Sequence, residues 1–381
     1  MNNGEVALVG CDSYDRELVE EKVSEAIELL GGPGEMVGKG SRVFIKVNAL
    51  RASEPASCVT THPEVVRALV RTLQPVTRDI VIGDSPGGPY GRTFLKRILD
   101  KAGFSGVAED TGVEINYDTS VSRVTVPLAN RVKSIALCGA MVDADHLISV
   151  SKYKTHLLVN VTGTIKNLFG AVPGIAKFTY HSRFSRPNDF ADLLVDVLLA
   201  ADPDFHLVDA IQGMDGNGPS QGEVKKMGVI AAGRDALTVD AVMMNLIGHD
   251  MDKNLALNSA MARGLCPDKL SEIALLGESI EALSVDGFRM PMKKDITTLV
   301  PEFLMKRFGN LVSVRPQILP EKCTGCRKCS DICPQEAISI ESGTARINYR
   351  SCIKCYCCHE LCDYDAVSLR RPLLMKVAGI R

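Results

Sequence analysis

The chain contains no tryptophan, few aromatic residues of any kind and almost no net charge. Its 381 residues carry a formal charge of −2, so nothing global points to nucleic acid or to an acidic tail. No apolar run approaches the ~20 residues of a membrane span. Met1 to Cys11 shows no basic segment leading into an apolar one. Neither a membrane span nor a signal peptide is expected. One further absence is local. Between Asp145 and Asp189 there is no Asp or Glu, while the same stretch holds Lys152, Lys154, Lys166, Lys177, Arg183 and Arg186 with His156 and His181.

Cysteine, by contrast, is plentiful, with thirteen in the chain. Eight of them gather near the C-terminus as Cys323-x-x-Cys326-x-x-Cys329-x-x-x-Cys333 and Cys352-x-x-Cys355-x-x-Cys358-x-x-x-Cys362. Each run has the bacterial ferredoxin spacing, in which three thiolates of a tight loop bind one 4Fe–4S cluster and the fourth ligates the other. One cluster is therefore assigned to Cys323, Cys326, Cys329 and Cys362, and the second to Cys352, Cys355, Cys358 and Cys333. The segment after each run is repeated too, as Gln335-Glu336-Ala337-Ile338-Ser339-Ile340 and Tyr364-Asp365-Ala366-Val367-Ser368-Leu369. Zinc is the competing assignment, but it takes four ligands from two pairs and needs neither the third cysteine nor the fixed offset of the fourth. Asp363 stands where a proline usually follows the last cysteine. Cys357 sits beside Cys358 and is expected to be a buried thiol outside the ligand set. Cys11, Cys58, Cys138 and Cys266 are scattered. So many thiols point to a reduced cytoplasm, and the oxygen lability of exposed cubanes points to an anaerobic one.

The chain is too long for one ferredoxin module. Its larger part alternates strand and helix patterns. Val6–Val9, Val43–Ile45, Ile80–Ile82, His146–Val150 and Phe205–Val208 read as strands. Glu17–Leu30, a helix opened by Pro63, and one carrying Phe94 and Leu99 lie between them. A one-sided helix with Phe190, Leu193, Leu194 and Val197 has Asp189, Asp192 and Asp196 on its outer face. Glu114–Val126 reads as an antiparallel excursion. The pattern predicts an α/β fold, a doubly wound and mainly parallel sheet, followed by a small α+β ferredoxin domain with two 4Fe–4S clusters. The predicted divisions are 1–290 for the α/β domain, 291–315 for a connector with an amphipathic helix around Phe303 and Leu304, and 316–372 for the ferredoxin domain.

Polar residues stand after the predicted strands: Lys46 and Asn48; Asp84 and Ser85; Lys152, Lys154 and His156; Asp209 and the loop Gly213–Gly222. In parallel sheets such residues converge on one rim, where ligands bind. Lys46, Asn48, Asp84, Ser85, Lys152, Lys154 and Asn167 are candidate binders of an anionic small molecule or cofactor. His156, His181, Lys166 and Asp209 are candidate catalytic residues. The alternatives are a solvated basic face for the lysines, structural histidines, and helix capping for Asp84. The glycine loop is neither a dinucleotide fingerprint nor a Walker motif.

Lys46-Val47-Asn48, Thr61-His62-Pro63-Glu64-Val65-Val66, Gly83-Asp84-Ser85-Pro86-Gly87, Lys152-Tyr153-Lys154-Thr155-His156, Lys166-Asn167-Leu168-Phe169-Gly170 and the Asp209–Gly222 loop resemble the family named domain of unknown function 362. The resemblance spans roughly residues 5 to 285. Val47 departs from it, since the family commonly has proline there. Members are often fused to, or encoded with, a two-cluster ferredoxin domain. The resemblance implies a redox-linked α/β protein of anaerobic metabolism and supplies no substrate.

Two functions are compatible with these features. In the first, the clusters relay electrons between a donor or acceptor protein and an anionic molecule in the α/β domain. A two-electron conversion there calls for a further organic cofactor or metal that the sequence does not advertise. In the second, the ferredoxin part is an electron carrier and the α/β part docks a partner. Non-redox chemistry beside structural clusters is a third.

Overall fold

The computed structural model describes residues 4–291 and 314–370; the helix expected around Phe303 and Leu304 lies outside them. A nine-stranded sheet runs through the larger part. Its strands are β1 (Glu5–Gly10), β2 (Val43–Lys46), β3 (Ile80–Gly83), β4 (Glu114–Ile115), β7 (His146–His156), β8 (Asn160–Thr162), β9 (Phe205–Asp215), β10 (Glu223–Gly233) and β11 (Ala274–Gly277). Their order is β11-β1-β10-β9-β7-β2-β3-β4, with β8 paired to the end of β7. The run β9-β7-β2-β3-β4 is parallel, and β10 is antiparallel to both its neighbours. The expected excursion divides. Glu114–Ile115 is a parallel edge, and only β5 (Val121–Thr125) turns back, against β6 (Ser134–Cys138) in a separate ribbon.

The pleat sorts the core into two layers. Val6 and Leu8 face one apolar cluster and Ala7 and Val9 the other, as alternation along a strand requires. Helices α1 (Arg16–Glu28), α3 (Pro63–Leu73), α4 (Arg92–Lys101) and α5 (Phe104–Thr111) cover one face; α2 is the short turn Pro33–Met36. On the other lie α7 (Thr164–Asn167), α9 (Pro187–Ala201), α10 (Ala236–Leu246) and α11 (Leu255–Ala262), with α6 (Gly139–Val142) and α8 (Ala176–Arg183) at its margin. Asp15 caps α1 through Leu18 N, and Gly31 and Gly32 end its run in left-handed backbone. Pro63 occupies the first turn of α3, where its missing N–H costs nothing.

Three expectations are corrected. First, β7 does not end at Val150 but continues to His156, because its second half pairs with β8 and β9. Likewise β9 runs on to Asp215, so Lys152, Lys154, His156 and Asp209 lie within strands rather than after them. Second, Asp196 does not face out. It is fully buried and accepts the backbone N–H groups of Asn130, Arg131 and Val132 and the Arg263 guanidinium. Third, most of the basic stretch is not a surface, although Arg183 and Arg186 are exposed and Lys166 is half-buried. Lys152, Lys154, Lys177, His156 and His181 are all buried.

The smaller part pairs β12 (Arg315–Ile318) with β15 (Val367–Arg370), and β13 (Ile338–Glu341) with β14 (Thr344–Ile347). Its sequence repeat is a backbone repeat as well. Arg327 and Tyr356 take left-handed φ at matching points before the helical turns Lys328–Asp331 and Cys357–Glu360, and so do Glu336 and Asp365 beyond them.

Candidate functional site

The chain leaves β2 for β3 on one side and returns to β7 on the other, so the strand order reverses between β2 and β7. A crevice forms outside the carboxyl ends of strands at such a point. Here it is an open cleft whose empty space, counted out into the solvent at its mouth, is about 630 Å³. Lys46 comes from the end of β2, Asp84 and Ser85 from beyond β3, and Lys154 and His156 from the far half of β7. Lys166 and Asn167 come from α7, and Lys177 and His181 from α8. The fourth side is closed by Cys357, Glu360 and Leu361 of the ferredoxin-like part.

A hydrogen-bond chain fixes these groups. Lys46 is fully buried and paired with Asp84 at 2.9 Å. Its ammonium also donates to Asn167 Oδ1 at 3.1 Å and to the Val47 carbonyl at 2.6 Å. Asn48 Nδ2 donates to the same Asn167 oxygen, and Asn48 Oδ1 accepts from Lys154 at 2.9 Å. Asn167 Nδ2 donates to Ser149 Oγ at 2.9 Å, which ties α7 to β7. Asp84 accepts Ala49 N and Ser85 N, so its role is to hold Lys46 and the turn after β2, not to cap a helix. Gly170 is required beside this pair: a Cβ there would collide with Asp84 Oδ1 and Lys46 Nζ.

Burial sets the electrostatics. It lowers Lys46 and Lys166, and it pushes Lys154 and Lys177 down to about 7. Among the described residues the Lys177 ammonium donates only to the Ser85 and Val172 carbonyls. His181 lies stacked on Phe190 and edge-on to Phe169, and burial drives it down to about 3, so its imidazole is neutral. His156 Nδ1 accepts the Leu158 N–H, which places the ring proton on Nε2, 3.2 Å from Glu360 Oε1. Burial would raise the Glu360 carboxyl, but the His156 Nε2–H beside it and the Lys166 ammonium outweigh it and hold it below the usual carboxylate range.

Two predicted site residues lie elsewhere. The β7–β9 register slips between Lys152 and Lys154, so Lys152 opposes Asp209 and Lys154 opposes Met214. Lys152 and Asp209 pair at 3.0 Å, both fully buried, under the Tyr14 hydroxyl, which is 2.6 Å from the amine and 2.7 Å from the carboxylate. Asp209 also accepts His62 N. With its oxygens occupied in this way, the pair is a brace between β7, β9 and the start of α3. Lys177 and Cys357 line the cleft although the sequence reading names them only in the basic stretch and as a buried thiol, and Glu360, which also lines it, is not named there at all. No local signal in the sequence marks Glu360, because its partner His156 lies in the other part of the chain.

The thiols ring two cavities. Cys323, Cys326, Cys329 and Cys362 line one; Cys333, Cys352, Cys355 and Cys358 line the other, with Cys357. The remaining walls are largely apolar, with Ile318, Ile340 and Val367 at the first and Ile338 and Ile347 at the second. Backbone N–H groups of Ala345, Ala337 and Ala366 point at Cys323, Cys333 and Cys362 sulfurs at 3.3–3.4 Å. Four soft donors around a small apolar hole, with N–H groups aimed at sulfur, fit a cubane cluster. Among the described residues no group of three or more His, Cys, Asp or Glu is gathered around a point that would hold a single metal ion.

The ferredoxin-like part is seated by specific contacts. Arg51 donates to the Cys362 carbonyl and the Ser220 carbonyl and pairs with Asp365 at 3.0 Å. Gln221, from the glycine-rich loop, donates to the His359 carbonyl at 2.9 Å. That loop is therefore the seat of the second cysteine run.

Residues 43–245 match the family described as "Domain of unknown function (DUF362)". The chain belongs to the DUF362 family. Residues 315–363 match a 4Fe-4S dicluster domain. This DUF362 protein is 28% identical over 298 residues to a thylakoid-associated protein of Synechocystis sp., an overlap of 75% of this chain and 87% of that one. Among solved structures, the lactate racemase apoprotein from Thermoanaerobacterium thermosaccharolyticum aligns with a TM-score of 0.39 and 17% identity over 60% of this chain and 53% of that chain. This chain thus spans about half the racemase length. A protein from Thermotoga maritima aligns with a TM-score of 0.37 and 12% identity over 70% of this chain and 61% of that one. Among the described residues no helix is long and apolar enough to cross a membrane.

Proposed function

We propose that this DUF362 protein is an iron–sulfur oxidoreductase that converts an anionic small molecule held in the cleft. One observation carries the reading: Cys357 is a wall both of the cleft and of the second thiol cavity, so a ligand in the cleft lies directly against the second cysteine run. When bound, the two clusters supply single electrons. The first would be held by Cys323, Cys326, Cys329 and Cys362, and the second by Cys333, Cys352, Cys355 and Cys358. Cys326 is exposed whereas Cys358 is buried, which favours the first run as the face where a redox partner docks.

The chain's own residues have separable tasks. Lys154, Lys166 and Lys177 attract and orient the anion, and the Lys46–Asp84 pair holds the floor under it. His156, with its Nε2 proton beside Glu360, and neutral His181 are the groups able to move protons at the ligand. A two-electron conversion needs a further centre such as a flavin or metal. The division of the chain into domains 1–290 and 316–372 belongs to this proposal. So does a reducing compartment, the cytoplasm, which the number of thiols favours.

The test is iron, sulfide and organic-cofactor analysis of protein purified without oxygen, with absorbance and EPR spectra before and after dithionite. About eight irons with a flavin or second metal support the oxidoreductase. About eight irons with no other centre, and cluster spectra indifferent to added anions, would favour a simple electron carrier.

A further inference from the structure

The charges lining the cleft do not balance. Lys46, Lys154, Lys166 and Lys177 face two carboxylates, Asp84 and Glu360, and His181 is neutral. Asp84 is committed to Lys46. Glu360 sits at His156. Among the described residues Lys154 and Lys177 donate only to neutral oxygens: Asn48 Oδ1 and the Val59 carbonyl for one, the Ser85 and Val172 carbonyls for the other. Lys166, half-buried, has no hydrogen-bond or ion-pair partner among the described residues; its ammonium lies 5.0 Å over the Phe169 ring. His181 Nδ1 is buried without a hydrogen-bond partner among them. Buried cations of this kind are costly unless a counter-charge reaches them. Apolar side chains of Phe169, Phe178, Leu50 and Leu361 complete the lining.

We propose that the cleft is built for a small dianion, a dicarboxylate or a phosphomonoester, with an apolar body: its two negative charges match the surplus of two lysines. This rests on the reading of the cleft as an anion site and names the ligand class. Without the ligand, burial relieves the surplus by proton loss, since Lys154 and Lys177 lie near 7. The charged and titratable groups around Lys154 are Lys152, Lys166, Glu360 and Cys58. Around Lys177 they are Asp84, Lys46, Lys166 and Cys138. A dianion entering between them raises both lysines, so binding takes up protons above neutral pH and takes up few below it.

The experiment is calorimetric titration of the full, iron-loaded chain with phthalate and phenyl phosphate, two dianions on a ring, against benzoate, a monoanion on the same ring. Measurement in buffers of different ionisation enthalpy reads the protons taken up. One dianion should bind at least about tenfold tighter than benzoate. It should take up about one to two protons at about pH 8 and few at about pH 6. Which of the two binds distinguishes a dicarboxylate from a phosphate ligand. Lys166→Met, whose target has no partner to orphan, should weaken the dianion about tenfold and narrow its advantage over benzoate. Equal binding of benzoate and the dianions, or binding without proton uptake, overturns the dianion proposal and leaves an anion site. No binding of any probe by iron-loaded protein overturns the anion site itself.

Discussion

Lys46 and Asp84 are the clearest case of a pair whose value depends on both partners being present. Each is buried, and each satisfies the other and a backbone neighbour. Asp84→Ala strands an ammonium inside the protein and should cost about 3–5 kcal/mol in urea unfolding. The double substitution Lys46→Met with Asp84→Leu should recover most of that stability while losing the cleft. His206 is held neutral by burial alone. It is 1% exposed, its Nδ1 has no hydrogen-bond partner among the described residues, and burial drives it down to about 3. In the unfolded chain it titrates near 6.5, so the unfolded state binds the proton first as pH falls. Its contribution to stability is present above about pH 6.5 and is lost toward acid, by about 1.4 kcal/mol per pH unit. His206→Phe should flatten the acid limb of a stability–pH curve by that slope; an unchanged limb would mean the imidazole is not held neutral. The histidine is plain in the sequence, but its burial is not, since the residues that cover it come from other strands.

At the scale of elements, α7 is four residues long and depends on an outside cap. Asp240, from α10, accepts Thr164 N at 2.7 Å, Thr164 Oγ1 at 2.9 Å and Ile165 N at 3.3 Å. Gly163 makes room, because a Cβ there would strike the Asp240 carboxylate. Since α7 carries Lys166 and Asn167, Asp240→Ala should loosen the cleft as well as the fold. The expected loss is about 2 kcal/mol of stability, with weaker anion binding measured by the same titration. Unchanged anion binding would separate α7 from the site. Elements were legible in the sequence where a short-range pattern dictates them: α3 starts at Pro63, and α9 shows its apolar face. The extent of β7 was not legible, because the half beyond Ser151 is polar and is a strand only through its partners β8 and β9.

At the scale of the whole molecule, the cleft exists only while the ferredoxin-like part stays seated on the α/β part. Arg51 bridges the two through Cys362, Asp365 and Ser220. Arg51→Ala should leave the iron content unchanged yet raise amide exchange in both Gly213–Gly222 and Cys357–Cys362. Exchange unchanged in either segment would show that other contacts suffice to hold the seat.

The sequence by itself determined the two thiol runs and the α/β alternation, because ligand spacing and strand or helix periodicity are written within a few tens of residues. It also held every residue of the cleft, including a cationic stretch without an acid. Only the tertiary structure decided that Lys152, Lys154, Lys177, His156 and His181 of this stretch are interior, that Asp209 and Lys152 brace each other outside the cleft, and that Glu360 and Cys357 close it. Those outcomes depend on which distant segments pack together. The charge state of a lysine or histidine follows from the water that such packing removes.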